Sequence, residues 1–234
     1  MMRHSDKRVL VAGGTGALGR AVALAFLEQG ATVIVTGRRK GGYDALIAAA
    51  GNDRDRLSAA LGDVSDAGAA ARLVGEVVER HDRLDILVNA AGGYEGGASV
   101  WETEPDSYRR MVATNLDTGF ALARAVLPHM IRQGRGWIVG VGSQAAVAPA
   151  AGAAAYAASK AGVIALYSAI AEEVRPYRIN VNVLAPRIFD TASNREAMPQ
   201  ADFARWPKPE DIARVVLFLC SEDAGVIRGA VIPV

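Results

Sequence analysis

Tyr156-Ala157-Ala158-Ser159-Lys160 sets a phenol and an ammonium four residues apart in a helix-like run, so both fall on one face. An ammonium beside a phenol favours the phenolate and lowers a pKa that starts near about 10. A phenol tuned in that way can exchange a proton with a substrate oxygen near neutral pH. Ser143 lies upstream, just past a β-branched run, where its hydroxyl can polarise a substrate carbonyl oxygen. Asn115 stands inside a long helix-like stretch, in Met111-Val112-Ala113-Thr114-Asn115. Asn is a poor helix-interior residue, so it either has a polar task or marks a kink. This set points to proton transfer at a carbonyl or alcohol oxygen.

A second constellation binds anions. Gly13-Gly14-Thr15-Gly16-Ala17-Leu18-Gly19 follows a short apolar run and opens a helix-like one. Glycines let the chain turn tightly and let backbone N–H groups approach a pyrophosphate, while the helix N-terminus adds a favourable dipole. The strand-turn-helix setting makes this a dinucleotide-binding signature. Binding of a 2′-hydroxyl, as in NAD, calls for an acid roughly 20 residues further on. Thr36-Gly37-Arg38-Arg39-Lys40 has no acid there. A cationic cluster suits a 2′-phosphate, so NADP(H) is the expected cofactor, with Arg38 the first choice for that contact and Arg39 the second.

These residues need a scaffold that gathers the ends of several segments. Strands are expected at residues 8–12, 31–36, 57–61, 85–89, 136–141 and 179–184, with a seventh starting near 229. Helices are expected at 18–30, 66–80, 106–133, 153–174 and 210–220, with Gly30 and Pro176 as stops. A Pro-flanked segment, 186–209, precedes the last helix. Continuous apolar strands alternating with helices predict a doubly wound parallel sheet in three α/β/α layers. No repeat or linker interrupts the pattern, so residues 1–234 are expected to form one domain, with a substrate loop at about 186–209. Ligands in such sheets sit beyond the C-terminal strand ends, where the candidate residues fall.

The 234 residues, 51% hydrophobic, suffice for a substantial core. A net charge of +1, from 26 basic and 25 acidic side chains, argues against nucleic acid or a membrane surface as a partner. Cys220 is the sole cysteine and the first residues are polar, which fits the cytoplasm. Apolar stretches are broken by Gly, Pro or charge before membrane-spanning length. His4, His81 and His129 lack ligand spacing, so no metal is expected.

Taken together, the chain resembles the short-chain dehydrogenase/reductase family over nearly its whole length. The matching strings are the 13–19 turn, Asp63-Val64, Asn89-Ala90-Ala91-Gly92, Asn115, Ser143, and Tyr156 with Lys160. The resemblance implies a Rossmann-type NAD(P)-binding fold and a Tyr–Lys–Ser–Asn catalytic tetrad. Tyr156 would exchange the proton, and Lys160 would lower its pKa and bind the nicotinamide ribose. Ser143 would hold the substrate oxygen, and Asn115 would anchor a water in a proton relay. Asp63 would contact the adenine, or else cap the following helix. Asn89 would steady the cofactor region, and Pro186, Ile188 and Thr191 would clasp the nicotinamide amide. The resemblance further implies a homodimer or homotetramer built on the helices that carry Asn115 and Tyr156. The implied activity is hydride transfer between the nicotinamide and a small carbonyl or alcohol.

Three positions depart from the family pattern: Ala12 for a frequent Thr, Ala17 for a frequent glycine, and Arg187 for the usual glycine after Pro186. Arg187 either meets a phosphate or acidic substrate, or points outward. Residues 13–19, 92–97 and 190–206 also resemble the dihydropteridine reductase branch. That branch generally lacks the serine found here at 143 and carries the NAD-type acid missing here. The motif is therefore read as shared loop architecture and not a shared substrate; a dihydropteridine-type reductase and a non-catalytic NADP(H)-binding sensor are the rival readings. Tyr94, Met198, Phe203 and Trp206 line an apolar substrate pocket or pack the loop itself.

Overall fold

Strands rich in Val, Ile and Leu, apolar on both faces, can be stable only between two layers of helices. The chain meets that condition. A computed structural model describes residues 4–37 and 40–234. Seven strands form one sheet: β1 (Arg8–Ala12), β2 (Thr32–Gly37), β3 (Leu57–Leu61), β4 (Ile86–Asn89), β5 (Gly136–Val141), β6 (Ile179–Ala185) and β7 (Val231–Pro233). Their order is β3-β2-β1-β4-β5-β6-β7, with every neighbouring pair parallel. The direction in which strands are added reverses between β1 and β4, which opens a crevice at their C-terminal ends.

The helices are α1 (Ala17–Glu28), α2 (Lys40–Ala50), α3 (Ala67–His81), α4 (Pro105–Met111), α5 (Thr118–Gln133), α6 (Ala154–Glu173), α7 (Ala192–Ala197) and α8 (Pro209–Leu219). On one face, Leu18, Val22 and Phe26 of α1 pack with Leu46 of α2 and Ile212, Val216 and Leu219 of α8. On the other, Val74 and Val77 of α3 meet Leu122, Val126 and Met130 of α5 and Val163, Tyr167 and Ile170 of α6. The three layers and parallel sheet agree with the sequence reading.

Three differences have physical reasons. No helix is expected between β2 and β3, yet α2 forms there. Gly41 and Gly42 weaken its local signal, but Leu46 is fully buried against the sheet, and packing decides. The expected helix 106–133 is broken by a π turn at Val112–Asp117, between α4 and α5. Asn115 sits in that turn. A short helix, α7, lies within the 186–209 loop. By length and apolarity alone α6 could cross a membrane; here it packs against β5 and β6.

Candidate active site

The turn after β1 is built around close backbone approaches. Gly13 has φ +72°, and a Cβ there would stand 2.7 Å from the Ala91 backbone. A Cβ on Gly19 would come within 2.2 Å of the Gly13 carbonyl oxygen. Only glycine serves at both positions. Gly16 caps α1 with extended backbone, and neither a side-chain cap nor an acid occupies the first turn. The amides at the start of α1 are thus left to an anion, and the helix dipole adds to the attraction. Ala17 is exposed at the first helical position, so its methyl displaces nothing, while Leu18 is buried beneath the turn. Thr15 wedges against the end of β2 and the start of α2, since Cβ atoms on Gly37 and Gly42 would lie 3.0 and 2.8 Å from it. These features fit a dinucleotide pyrophosphate. Arg38 and Arg39 lie outside the described residues.

The β4 end closes the other side of the crevice. Asn89 is buried, donates from Nδ2 to the Tyr167 hydroxyl at 3.1 Å and accepts from the Ala91 amide at 3.3 Å. Ala90 donates its amide to the Ala12 carbonyl at 3.0 Å. Asp63 is exposed beyond β3 and accepts from the Ser65 amide and hydroxyl. The cap of α3 is Asp66, which accepts from the Ala69 amide at 2.7 Å, so Asp63 does not have that role. Val64 is buried beside it.

Asn115 faces this loop. Its Oδ1 accepts from the Gly93 amide at 2.9 Å, and its Nδ2 donates to the Gly93 carbonyl at 3.2 Å and to Ser159 Oγ at 2.9 Å. Ser159 Oγ donates in turn to the Tyr156 carbonyl at 2.8 Å. The π turn on which Asn115 rides is therefore tied both to the β4 loop and to the helix turn bearing Tyr156. Gly92 has no room for a side chain: a Cβ would lie 2.8 Å from Asn115 Oδ1 and 3.1 Å from Lys160 Nζ.

Lys160 is buried, and its ammonium donates to the Val141 carbonyl at 2.9 Å. Burial pushes its pKa down to about 8. Its Nζ stands 6.0 Å from the Tyr156 ring centroid. Burial also raises the Tyr156 phenol above its ordinary value, the Ser143 hydroxyl offsets part of that by hydrogen bonding, and Tyr94 raises it further. The direction is opposite to the sequence expectation, because desolvation of the buried phenol prevails. Ser143 caps the short turn after β5, accepting from the Ala145 amide at 3.1 Å.

The loop after β6 begins at buried Pro186, whose carbonyl accepts from the Gln144 amide at 2.9 Å. This links it to the Ser143 turn. Ile188 is exposed, and Thr191 caps α7 by accepting from the Asn194 amide at 3.1 Å. Arg187 is exposed and pairs with no acid among the described residues; its amide donates to the Val234 carbonyl at 2.9 Å. Arg195 grips Asp190 at 2.6 and 2.7 Å and covers the Phe203 ring, which packs on Trp206 at 5.0 Å. Phe203 and Trp206 pack the loop, whereas Tyr94 lies edge-to-face on Tyr156 at 5.0 Å.

Sequence reasoning assigned no role to Ser159 or Tyr167. Ser159 had a signal, a small hydroxyl on the buried face between Tyr156 and Lys160. Tyr167 had none, because its partner Asn89 is far away in the chain.

Fold and site together define the class: a nicotinamide-dependent oxidoreductase acting on a carbonyl or CH–OH group. The chain matches the short chain dehydrogenase family over residues 7–202. It is 33% identical over 239 residues to the 3-oxoacyl-[acyl-carrier-protein] reductase FabG of Thermotoga maritima, covering 99% of this chain and 97% of that one. It is equally 33% identical to the meso-2,3-butanediol dehydrogenase of Serratia marcescens, covering 100% and 94%. A Phe-to-Trp variant of actinorhodin polyketide ketoreductase, solved with NADPH, superposes with a TM-score of 0.90 at 26% identity, covering 100% of this chain and 97% of that one. The protein belongs to the short-chain dehydrogenase/reductase family.

Proposed function

We propose that this protein is an NADP(H)-dependent reductase of small carbonyl compounds, running in reverse as an alcohol dehydrogenase. The observation that carries the reading is the convergence of Ser143, Tyr156, Lys160 and Asn115 beside the glycine turn at the strand ends. The cofactor would be held by Gly13, Thr15, Gly16, Ala17, Leu18 and Gly19 at its pyrophosphate, with Asp63, Val64, Asn89, Ala90, Ala91 and Gly92 along the crevice. Pro186, Ile188 and Thr191 would hold the nicotinamide end. Bound there, it supplies the hydride. Ser143 would donate a hydrogen bond to the substrate oxygen. Tyr156, a phenol and so protonated at neutral pH, would donate its proton to that oxygen. The Lys160 ammonium would stabilise the phenolate left behind. Asn115 would keep this helix turn in register with the β4 loop. The NADP(H) preference rests on Arg38 and Arg39, on the missing acid after β2, and on the ketoreductase solved with NADPH.

A cytoplasmic homodimer or homotetramer fits the exposed Trp101, Tyr108 and Phe120 beside and along α4 and α5. The test is oxidation of NADPH against NADH with ketones, 3-oxoacyl thioesters, quinones and a quinonoid pterin, with Tyr156→Phe as control. NADPH-linked turnover lost in that variant supports the reading. Dinucleotide binding without turnover on any substrate favours a sensor, pterin turnover surviving Ser143→Ala favours the dihydropteridine-type reaction, and strict NADH use removes the assignment of Arg38 and Arg39.

A further inference from the structure

The loop between β4 and α4 holds one large side chain against the catalytic tyrosine. Tyr94 is 65% exposed, yet its ring seat is closely built. A Cβ on Gly96 would lie 2.4 Å from Tyr94 Oη and 2.9 Å from the Gly152 carbonyl oxygen. Gly97, at φ +107°, donates its amide to that same carbonyl at 2.9 Å. Gly152 itself has φ +77°. These glycines bring the Tyr94 loop onto the segment that leads into α6 and Tyr156. On the other side, Glu95 accepts two hydrogen bonds from Arg110 of α4, at 3.0 and 2.9 Å. The loop is thus fastened just after Tyr94, to α4 through Glu95 and to the Gly152 segment through Gly97.

Behind the ring lies a cleft of about 470 Å³, lined by Tyr94, Glu102, Glu104, Ser107, Met111 and Gly152 among others. Its size suits a small organic molecule. Neither Tyr156 nor Ser143 lines it. Tyr94 touches both sides: its ring makes an edge contact with Tyr156 and also lines the cleft.

We propose that Tyr94 determines substrate size: its ring partitions the space at Tyr156 from the cleft and confines the reaction to carbonyl compounds with small substituents. The inference rests on Tyr156 being the proton donor. With the ring removed, the cleft joins the reaction site and receives a bulky substituent. Tyr94→Phe preserves the partition, since the ring and not the hydroxyl provides it.

Diacetyl and benzil share one dicarbonyl core and differ in carrying methyl or phenyl arms; the change of their ratio between variants cancels their different intrinsic reactivity and reports the fit of the arms. The wild-type protein, Tyr94→Phe and Tyr94→Ala are loaded with NADPH. For each, kcat/KM for both diketones is measured, and Kd for both by calorimetry. The benzil-to-diacetyl ratio is expected to rise about tenfold or more in Tyr94→Ala and to hold in Tyr94→Phe. An unchanged ratio in Tyr94→Ala, or an equal rise in Tyr94→Phe, overturns the proposal. If no variant turns over either diketone, the carbonyl-reductase reading suffers, while the Kd ratio still decides the role of Tyr94. Failure of Tyr94→Ala to bind benzil overturns it. Tyr94 is mostly exposed, so the variants should retain the wild-type melting temperature.

Discussion

The buried Lys160 ammonium is expected to lower the stability of the fold at neutral pH, and Lys160→Met to raise it. The side chain is 5% exposed, and burial lowers its pKa from 10.5 to about 8. That fall corresponds to about 3 kcal/mol of preference for the neutral amine in the folded chain. The unfolded chain therefore binds the proton more tightly. The destabilisation is full below about pH 8 and fades as pH rises toward the ordinary value of 10.5. Methionine is unbranched, one heavy atom shorter, and carries no charge. It also gives up the ammonium's hydrogen bond to the Val141 carbonyl, worth about 2 kcal/mol, so the net gain at pH 7 is about 1 kcal/mol. For a chain of this size that is a rise of about 2–4 °C in melting temperature. Thermal unfolding of both proteins at pH 7 and pH 10 checks this. The gain should shrink to nearly nothing at pH 10, and the variant should have lost its carbonyl reduction. A less stable variant at pH 7, or a gain of equal size at both pH values, would refute the reasoning.

Two further substitutions probe the rest of the site. Gly13→Ala places a Cβ 2.7 Å from the Ala91 backbone at a left-handed φ, whose conformational cost alone is about 1–2 kcal/mol; a lower melting temperature and dinucleotide binding weakened by about tenfold are expected from thermal shift and calorimetry, and unchanged binding would count against the turn as the phosphate cradle. Ser159→Ala removes the acceptor for Asn115 Nδ2 and the bond to the Tyr156 carbonyl; kcat should drop about tenfold with dinucleotide Kd unchanged, and Ser159→Thr should restore part of it, whereas equal losses in both quantities would make Ser159 merely structural.

Much of this protein's fold was legible in the linear sequence because its signals are local. Strand-helix alternation, the glycines of the 13–19 turn and the Tyr156–Lys160 spacing each express short-range geometry, so the parallel sheet could be read from order and period, and the candidate site residues from spacing together with the family resemblance. The tertiary structure decided what depends on distant partners. α2 forms around buried Leu46 despite its two leading glycines. The π turn at Asn115 exists where Gly93 and Ser159 both claim one side chain. Burial, which no spacing reveals, sends the Tyr156 and Lys160 pKa values in directions the sequence could not supply. The same holds for Tyr94: its place on Tyr156 follows from Gly96, Gly97 and Gly152 meeting across two loops, and residues far apart in the chain acquire a shared function only when packing brings them together.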